Sequence, residues 1–252
     1  LNMRKVMGSN PDLSLVIPCY NEEKNLNHLL KNVKEVLETS KFNLQVILVN
    51  NGSIDSTSEV FESFKKNNLK LNLKTLNLMP NLGYGGGILE GLKIADGRIL
   101  SWTHADLQTD INDIKVAYEN YLSNENKDIK SIIKGKRKKR KILDVIFTKL
   151  MTYFIFAISG RFYDDINAQP KLFSREIYND FDHPPKDFLL DFYLLTKAVE
   201  KNYKIKTFNV FFKKRLHGEA KGGGTIIGKI KLSFKSIKYI LKLHYGNNSS
   251  QN

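Results

Sequence analysis

A single cysteine, Cys19, is all that the sequence offers for sulfur chemistry, so no disulfide can form within the chain and a reducing compartment is the natural setting. No uncharged apolar run reaches the length of about 18 residues that a spanning helix needs, and no apolar signal core precedes Met7. The chain therefore reads as neither exported by a classical signal nor integral to a membrane. Acidic residues are scarce in one half only. Residues 1–126 hold 13 Lys/Arg against 15 Asp/Glu, whereas residues 127–252 hold 27 against 11. An even spread would speak for solubility alone; a basic half points to phosphate-bearing partners, either nucleic acid or the anionic face of a membrane.

What is present suffices for one large globular domain: 252 residues, 41% of them hydrophobic. Residues 12–18 read as a buried strand ended by a proline. Residues 22–38 read as a helix with Leu26, Leu29, Leu30, Val33 and Leu37 on one side. A strand over 44–49, a helix capped by Asp55 or Ser56 and running to Phe64, and a strand over 71–78 follow. A glycine-rich turn at 81–87, a short helix to Ala95 and a strand over 97–101 complete the first half. This alternation predicts an α/β fold with a mostly parallel sheet covered by helices, its ligand held where the strands end. The glycine run is not G-x-G-x-x-G, since Ile88 follows Gly87, and it comes after the third strand. That speaks against a dinucleotide site. Its glycines would instead let backbone approach a phosphate or sugar closely.

The stretch 102–108, Trp-Thr-His-Ala-Asp-Leu-Gln, follows the fourth strand. In an extended segment alternate side chains share a face, so His104, Asp106 and Gln108 can point at one cation. An imidazole, a carboxylate and an amide oxygen are suitable ligands for a divalent ion.

In the second half a helix is expected over 110–121 and a strand over 129–133, followed by the basic run 134–141 and an apolar stretch, 142–159, interrupted by Asp144 and Lys149. A basic cluster beside an apolar helix suits an element lying in the headgroup layer; the alternative is a core helix. A helix over 186–201 embeds Asp191 among apolar neighbours, which costs free energy unless the acid is paired or used. Residues 204–212 alternate as a strand. Residues 225–245 form a basic amphipathic pattern suited to a membrane surface or a partner, and the tail after Gly246 is expected to be disordered.

Four segments carry a resemblance: Leu-Val-Ile-Pro-Cys-Tyr-Asn-Glu-Glu at 15–23, Val-Asn-Asn-Gly-Ser-Ile-Asp-Ser-Thr at 49–57, Asn-Leu-Gly-Tyr-Gly at 81–85 and His-Ala-Asp-Leu-Gln at 104–108. In order and spacing they resemble the family 2 glycosyltransferases of the GT-A fold, and most of all the dolichyl- and polyprenyl-phosphate sugar synthases. The resemblance implies one catalytic domain over 1–246, with a nucleotide-binding half (1–126), an acceptor- and membrane-facing half (127–246) and a tail (247–252). It implies that Pro18, Tyr20 and Glu22 line the nucleotide, that Asn51, Gly52, Ser53 and Asp55 hold base and ribose, and that Gly83 and Gly85 border the nucleotide sugar. Asp106 and Gln108 would bind Mg2+ or Mn2+ bridging the diphosphate.

Two departures bear on the donor side. Asn50-Asn51 stand where the family has Asp-Asp, and His104 stands where it has the first Asp of D-x-D. An amide adds no charge, and a neutral imidazole is a softer ligand, so the metal binds more weakly or His104 stands behind Asp106. On the acceptor side, the resemblance assigns Asp165 and Lys171 to the segment 164–173, where Gln169 and Pro170 replace a Gly-aromatic pair. It makes Asp191 the base or acceptor-orienting group, and it gives Arg215 and Lys221, from an R-x-x-G-x-S-K loop with Ala220 in place of Ser, phosphate contacts. Gly222, Gly223 and Gly224 would give that loop the mobility of a lid. Lys136 and Arg137 join these phosphate and acceptor contacts.

The expectation is an inverting, metal-dependent transfer of sugar from a UDP- or GDP-linked donor to a polyprenyl phosphate, by a peripheral protein at the cytoplasmic face of a membrane. Two alternatives stand beside it: transfer to a sugar or lipid hydroxyl in cell-surface glycan synthesis, with Asp191 taking the proton, and a non-catalytic basic protein docking membranes or RNA. Nucleic acid is not the expected partner.

Overall fold

Two runs dense in Val, Ile and Leu become inner strands of the sheet because helices cover both of their faces. They are β1 (Leu13–Cys19) and β2 (Leu44–Asn51), buried along nearly their whole length. The computed structural model describes residues 10–140, 142–213 and 215, together with Phe234, Lys235, Lys238, Tyr239 and Leu241. Between and after these two strands lie α1 (Glu23–Thr39), α2 (Thr57–Asn67), β3 (Leu73–Leu78), α3 (Gly83–Lys93), β4 (Ile99–Trp102), α4 (Asp113–Glu125) and β5 (Ser131–Lys138). Then come α5 (Ile142–Ser159), β6 (Lys171–Ser174), α6 (Arg175–Asn179), α7 (Leu190–Glu200) and β7 (Lys204–Phe211).

The sheet order is β3-β2-β1-β4-β6-β5-β7. β6 is antiparallel to both of its neighbours, and the remaining pairs are parallel. Strand parity sorts the core. Leu13, Leu15 and Ile17 of β1 pack with Leu44, Val46 and Leu48 of β2 under α1, Phe61 of α2 and α4. The opposite face carries Val16, Val49 and Trp102, against which α3 and α7 lie. The fold is mixed α/β, and the parallel register from Leu13↔Leu44 to Cys19↔Asn50 brings the ends of β1 and β2 to one edge.

Three elements differ from the sequence reading. The glycine run is not a turn leading to a helix, because α3 already starts at Gly83. The strand expected over 129–133 runs on to Lys138, since β7 pairs with it along its whole length and β6 pairs with Ile133 and Lys134. The first part of the basic run is therefore strand, with Lys134 only 1% exposed and Lys136 and Arg137 part-buried. The four-residue β6 was not anticipated, being too short to show alternation.

The chain divides into two units, one of residues 1–138 and 167–217, the other of 139–166 and 218–252. The first holds the sheet. In the second, Arg140 pairs with Asp165 at 3.5 Å and Thr152 Oγ1 donates to the carbonyl of Tyr163. Ile142, Ile146, Leu150 and Tyr153, spaced on one side of α5, are all exposed, as are Phe154, Phe156 and Phe162. No helix among the described residues is long and apolar enough to cross a membrane. The expected amphipathic helix over 225–245 lies outside the described residues, apart from the five named above, and so do the glycines at 222–224 and the tail.

Candidate active site

The loops after β1 and β2 are stitched together. Asn21 N–H donates to Ser53 Oγ (2.9 Å) and Ile54 N–H to Asn21 Oδ1 (2.9 Å). Asp55 accepts from Glu23 N–H through one oxygen and from Thr57 N–H and Oγ1–H through the other. Burial pushes the Asp55 carboxyl up, but these hydrogen bonds outweigh it and hold its pKa below the ordinary value. Glu22 Oε2 accepts from Asn25 Nδ2 at 2.6 Å, while Pro18 and Tyr20 are part-buried at the end of β1. Asn51 is 3% exposed: its amide donates to the Gly83 carbonyl (2.9 Å), and its oxygen accepts from Leu82 N–H (3.1 Å). Asn50 Oδ1 accepts from Ser53 N–H. An Asn can serve donor and acceptor at once where an Asp cannot. The Asn-Asn pair thus braces the next loop. Gly52 has φ +74°, and a Cβ there would collide with the backbone of Asn81.

The α3 glycines make room for protein backbone. A Cβ on Gly83 would lie 2.6 Å from the Lys186 carbonyl oxygen, and one on Gly85 would lie 2.6 Å from that of Pro185 and 2.7 Å from that of Asp187. Gly86 N–H donates to Lys186 O at 2.9 Å. Gly85→Ala is expected to cost about 2 kcal/mol, the usual scale of overpacking a tight contact, and a lowered thermal midpoint would register it. An unchanged midpoint would show that the 185–187 segment moves away freely.

After β4, Asp106 Oδ1 accepts from Gln108 N–H (3.1 Å), a turn that sets Leu107 at φ +57°. Asp106 Oδ2 receives Arg215 Nη2 at 2.8 Å, and the same nitrogen lies 3.4 Å from Gln108 Oε1. The segment after β7 is clasped alongside, with Lys213 N–H donating to Gln108 O (2.7 Å) and Gln108 Nε2 donating back to Lys213 O (3.2 Å). His104 is part-buried, and desolvation drives its pKa down against the pull of Asp106 and Asp191, which keeps the imidazole neutral. The fully buried Asp191 lies nearby. Its Oδ1 takes Lys171 Nζ (2.7 Å), Trp102 Nε1 (3.0 Å) and Gln169 Nε2 (3.0 Å), and Tyr84 O–H reaches Oδ2 at 3.5 Å.

A profile of glycosyl transferase family 2 matches residues 14–147, more than half of the chain and all of the donor-side motifs. The chain belongs to glycosyl transferase family 2. It is 28% identical over 178 residues to a dolichyl-phosphate beta-glucosyltransferase of Dictyostelium discoideum, covering 65% of this chain and 54% of that one. It is also 28% identical over 171 residues to the dodecaprenyl-phosphate galacturonate synthase of Rhizobium johnstonii, covering 66% and 48%. The chain thus spans about half the length of these curated relatives. Glucosyl-3-phosphoglycerate synthase of Mycobacterium tuberculosis, solved with Mn2+, UDP-glucose and phosphoglyceric acid, superposes with a TM-score of 0.70 at 15% identity, covering 92% of this chain and 79% of that one. The fold is GT-A.

For a divalent ion, the donors expected from the sequence are one carboxylate, one imidazole and one amide oxygen. Among the described residues no cluster of three His, Cys, Asp or Glu gathers. Asp106 Oδ2 and Gln108 Oε1 already converge on one cationic nitrogen, that of Arg215. Those two oxygens therefore fit a cation.

Of the other expected residues, Lys171 and Asp191 meet directly, and Arg137 lies over the ring of Phe212 (5.3 Å) with its charge felt at His104. Lys136 is part-buried on β5, Asp165 belongs to the second unit with Arg140, and Lys221 lies outside the described residues. Trp102 and Tyr84 were not singled out as site residues. Being the chain's only tryptophan, Trp102 was a weak signal at most.

Proposed function

We propose that this chain transfers a sugar, with inversion, from a UDP- or GDP-linked donor to a polyprenyl phosphate presented at a membrane surface. One observation carries the acceptor class. Asp191 is ion-paired with Lys171 at 2.7 Å and takes three donors on a single oxygen. That oxygen is already spent on three donors, so Asp191 is built to hold its neighbours in place and not to collect a proton from an acceptor. A hydroxyl acceptor needs that proton removed, whereas a phosphate monoester arrives already ionised. Placement and charge then do the work.

On the donor side, Asp106 and Gln108 would hold Mg2+ or Mn2+ with His104 beside them, and the ion would neutralise the departing diphosphate. Arg215 would move from Asp106 to that diphosphate. The membrane reading draws support from the exposed apolar side of α5, which follows the basic residues 136–140 in sequence. The two curated relatives described above carry polyprenyl-phosphate acceptors in their names.

The test offers UDP- and GDP-sugars with Mn2+ to the purified protein, with a polyprenyl phosphate and the matching polyprenol as acceptors. Transfer to the phosphate alone is expected. Comparable transfer to the alcohol would return Asp191 to the role of base.

A further inference from the structure

Tyr84 is the second residue of α3, and its ring neighbours two others. The His104 imidazole is 5.3 Å away between centroids at a tilt of 31°, and the Phe188 ring is stacked at 4.7 Å. The phenol oxygen accepts from Gln169 Nε2 at 3.1 Å, and its O–H points to Asp191 Oδ2 at 3.5 Å. Gln169 is 1% exposed and uses the same nitrogen to reach Asp191 Oδ1. Asp191 is fixed in turn by Lys171 and Trp102. One end of the phenol is thus tied into a buried polar network, where each bond is strengthened by the low local dielectric. The imidazole is differently placed. Among the described residues no hydrogen bond or ion pair reaches His104, so its orientation depends on packing, and Tyr84 is the ring against it.

We propose that Tyr84 is a positioning residue that links the Lys171–Asp191 pair to His104: the network fixes the hydroxyl, the hydroxyl fixes the ring, and the ring sets the imidazole beside Asp106. The consequence for metal binding rests on the reading of His104 as a donor-side ligand; the linkage itself does not. Phe188 belongs to the same stack, and it follows the 185–187 backbone that the α3 glycines admit. The glycine run therefore brings both the tyrosine and its backstop into place.

The test follows the His104 ring in protein carrying 15N-labelled histidine. Of the five histidines, His104 is assigned as the ring signal lost in His104→Gln. Tyr84→Phe keeps the ring and cuts the tie, while Gln169→Met removes the nearer of the hydroxyl's two partners and leaves the 3.5 Å reach to Asp191 Oδ2. Each is expected to shift the His104 nitrogen signals, Gln169→Met the less, and the double variant to shift them no further than Tyr84→Phe alone, since the second cut falls on a link already broken. Tyr84→Leu, which removes the ring as well, is expected to bring the imidazole into fast exchange with solvent. It should also lower the affinity for Mn2+, read by electron paramagnetic resonance without donor, by about tenfold. Unchanged His104 signals in both Tyr84→Phe and Gln169→Met, or shifts that add in the double variant, would overturn the linkage. Should Tyr84→Leu fail to fold, those two variants still decide. A merely structural role would lower thermal midpoints and leave the His104 signals of the folded protein in place. If His104→Gln leaves Mn2+ binding intact, the metal reading of His104 falls, while the ring signals still judge Tyr84.

Discussion

Replacing Arg215 by glutamine is expected to move two measurements in opposite directions. Without donor, the guanidinium occupies Asp106 Oδ2 and approaches Gln108 Oε1, so a divalent ion arriving alone must displace it. The pair is only 13% and 22% exposed on its two sides, shielded enough for the displacement to matter and wet enough for it to cost no more than about 1 kcal/mol. Arg215→Gln should therefore bind Mn2+ alone about fivefold more tightly, read from the free-ion signal in electron paramagnetic resonance. Sugar transfer should nevertheless slow by about a hundredfold, the usual penalty for losing one positive donor at a developing anion. The opposed signs are diagnostic. Weaker Mn2+ binding in the variant would mean that Arg215 helps to build the cation site and does not compete for it.

The second large effect is expected at the buried pair. Asp191→Leu takes away the carboxylate that lies 2.7 Å from the Lys171 ammonium, itself 0% exposed. Breaking a buried pair from one side typically costs about 3–5 kcal/mol, roughly a 10 °C loss in thermal midpoint for a chain of this size. Lys171→Met in the same chain removes the buried ammonium as well, and the double variant should regain most of that stability. Activity should not return with it. A double variant as unstable as the single one would place the value of Asp191 in Trp102, Gln169 and Tyr84, the other groups that bond to it.

Most of the donor half could be read in advance, and the reasons are local. Apolar runs buried on both faces announced β1 and β2, and the spacing of Leu26, Leu29, Leu30, Val33 and Leu37 announced α1, because each depends only on neighbours along the chain. What escaped depends on pairing. Lys134 and its basic neighbours look solvated in one dimension and become strand only because β6 and β7 bond to them. The glycines after Asn81 suggested space for a ligand, yet the group that fills it is backbone from a hundred residues further on. For Asp191 the sequence established that an acid sat among apolar residues. It could not reveal that Lys171 pairs with it, because that partner sits on a four-residue strand with no periodicity of its own.

That short strand has a geometric consequence. Running against β4, β6 presents its first residue where its neighbour presents its last, so Trp102 stands opposite Lys171. Side chains alternate between the faces of a sheet, and a slip of one position would turn the lysine away from Asp191 and bring Leu172 in its place. The cation beside the carboxylate is thus set by register. Trimming or padding the stretch that leads into β6 could not nudge it by degrees, and variants of this protein can tune that charge only by changing the residue itself.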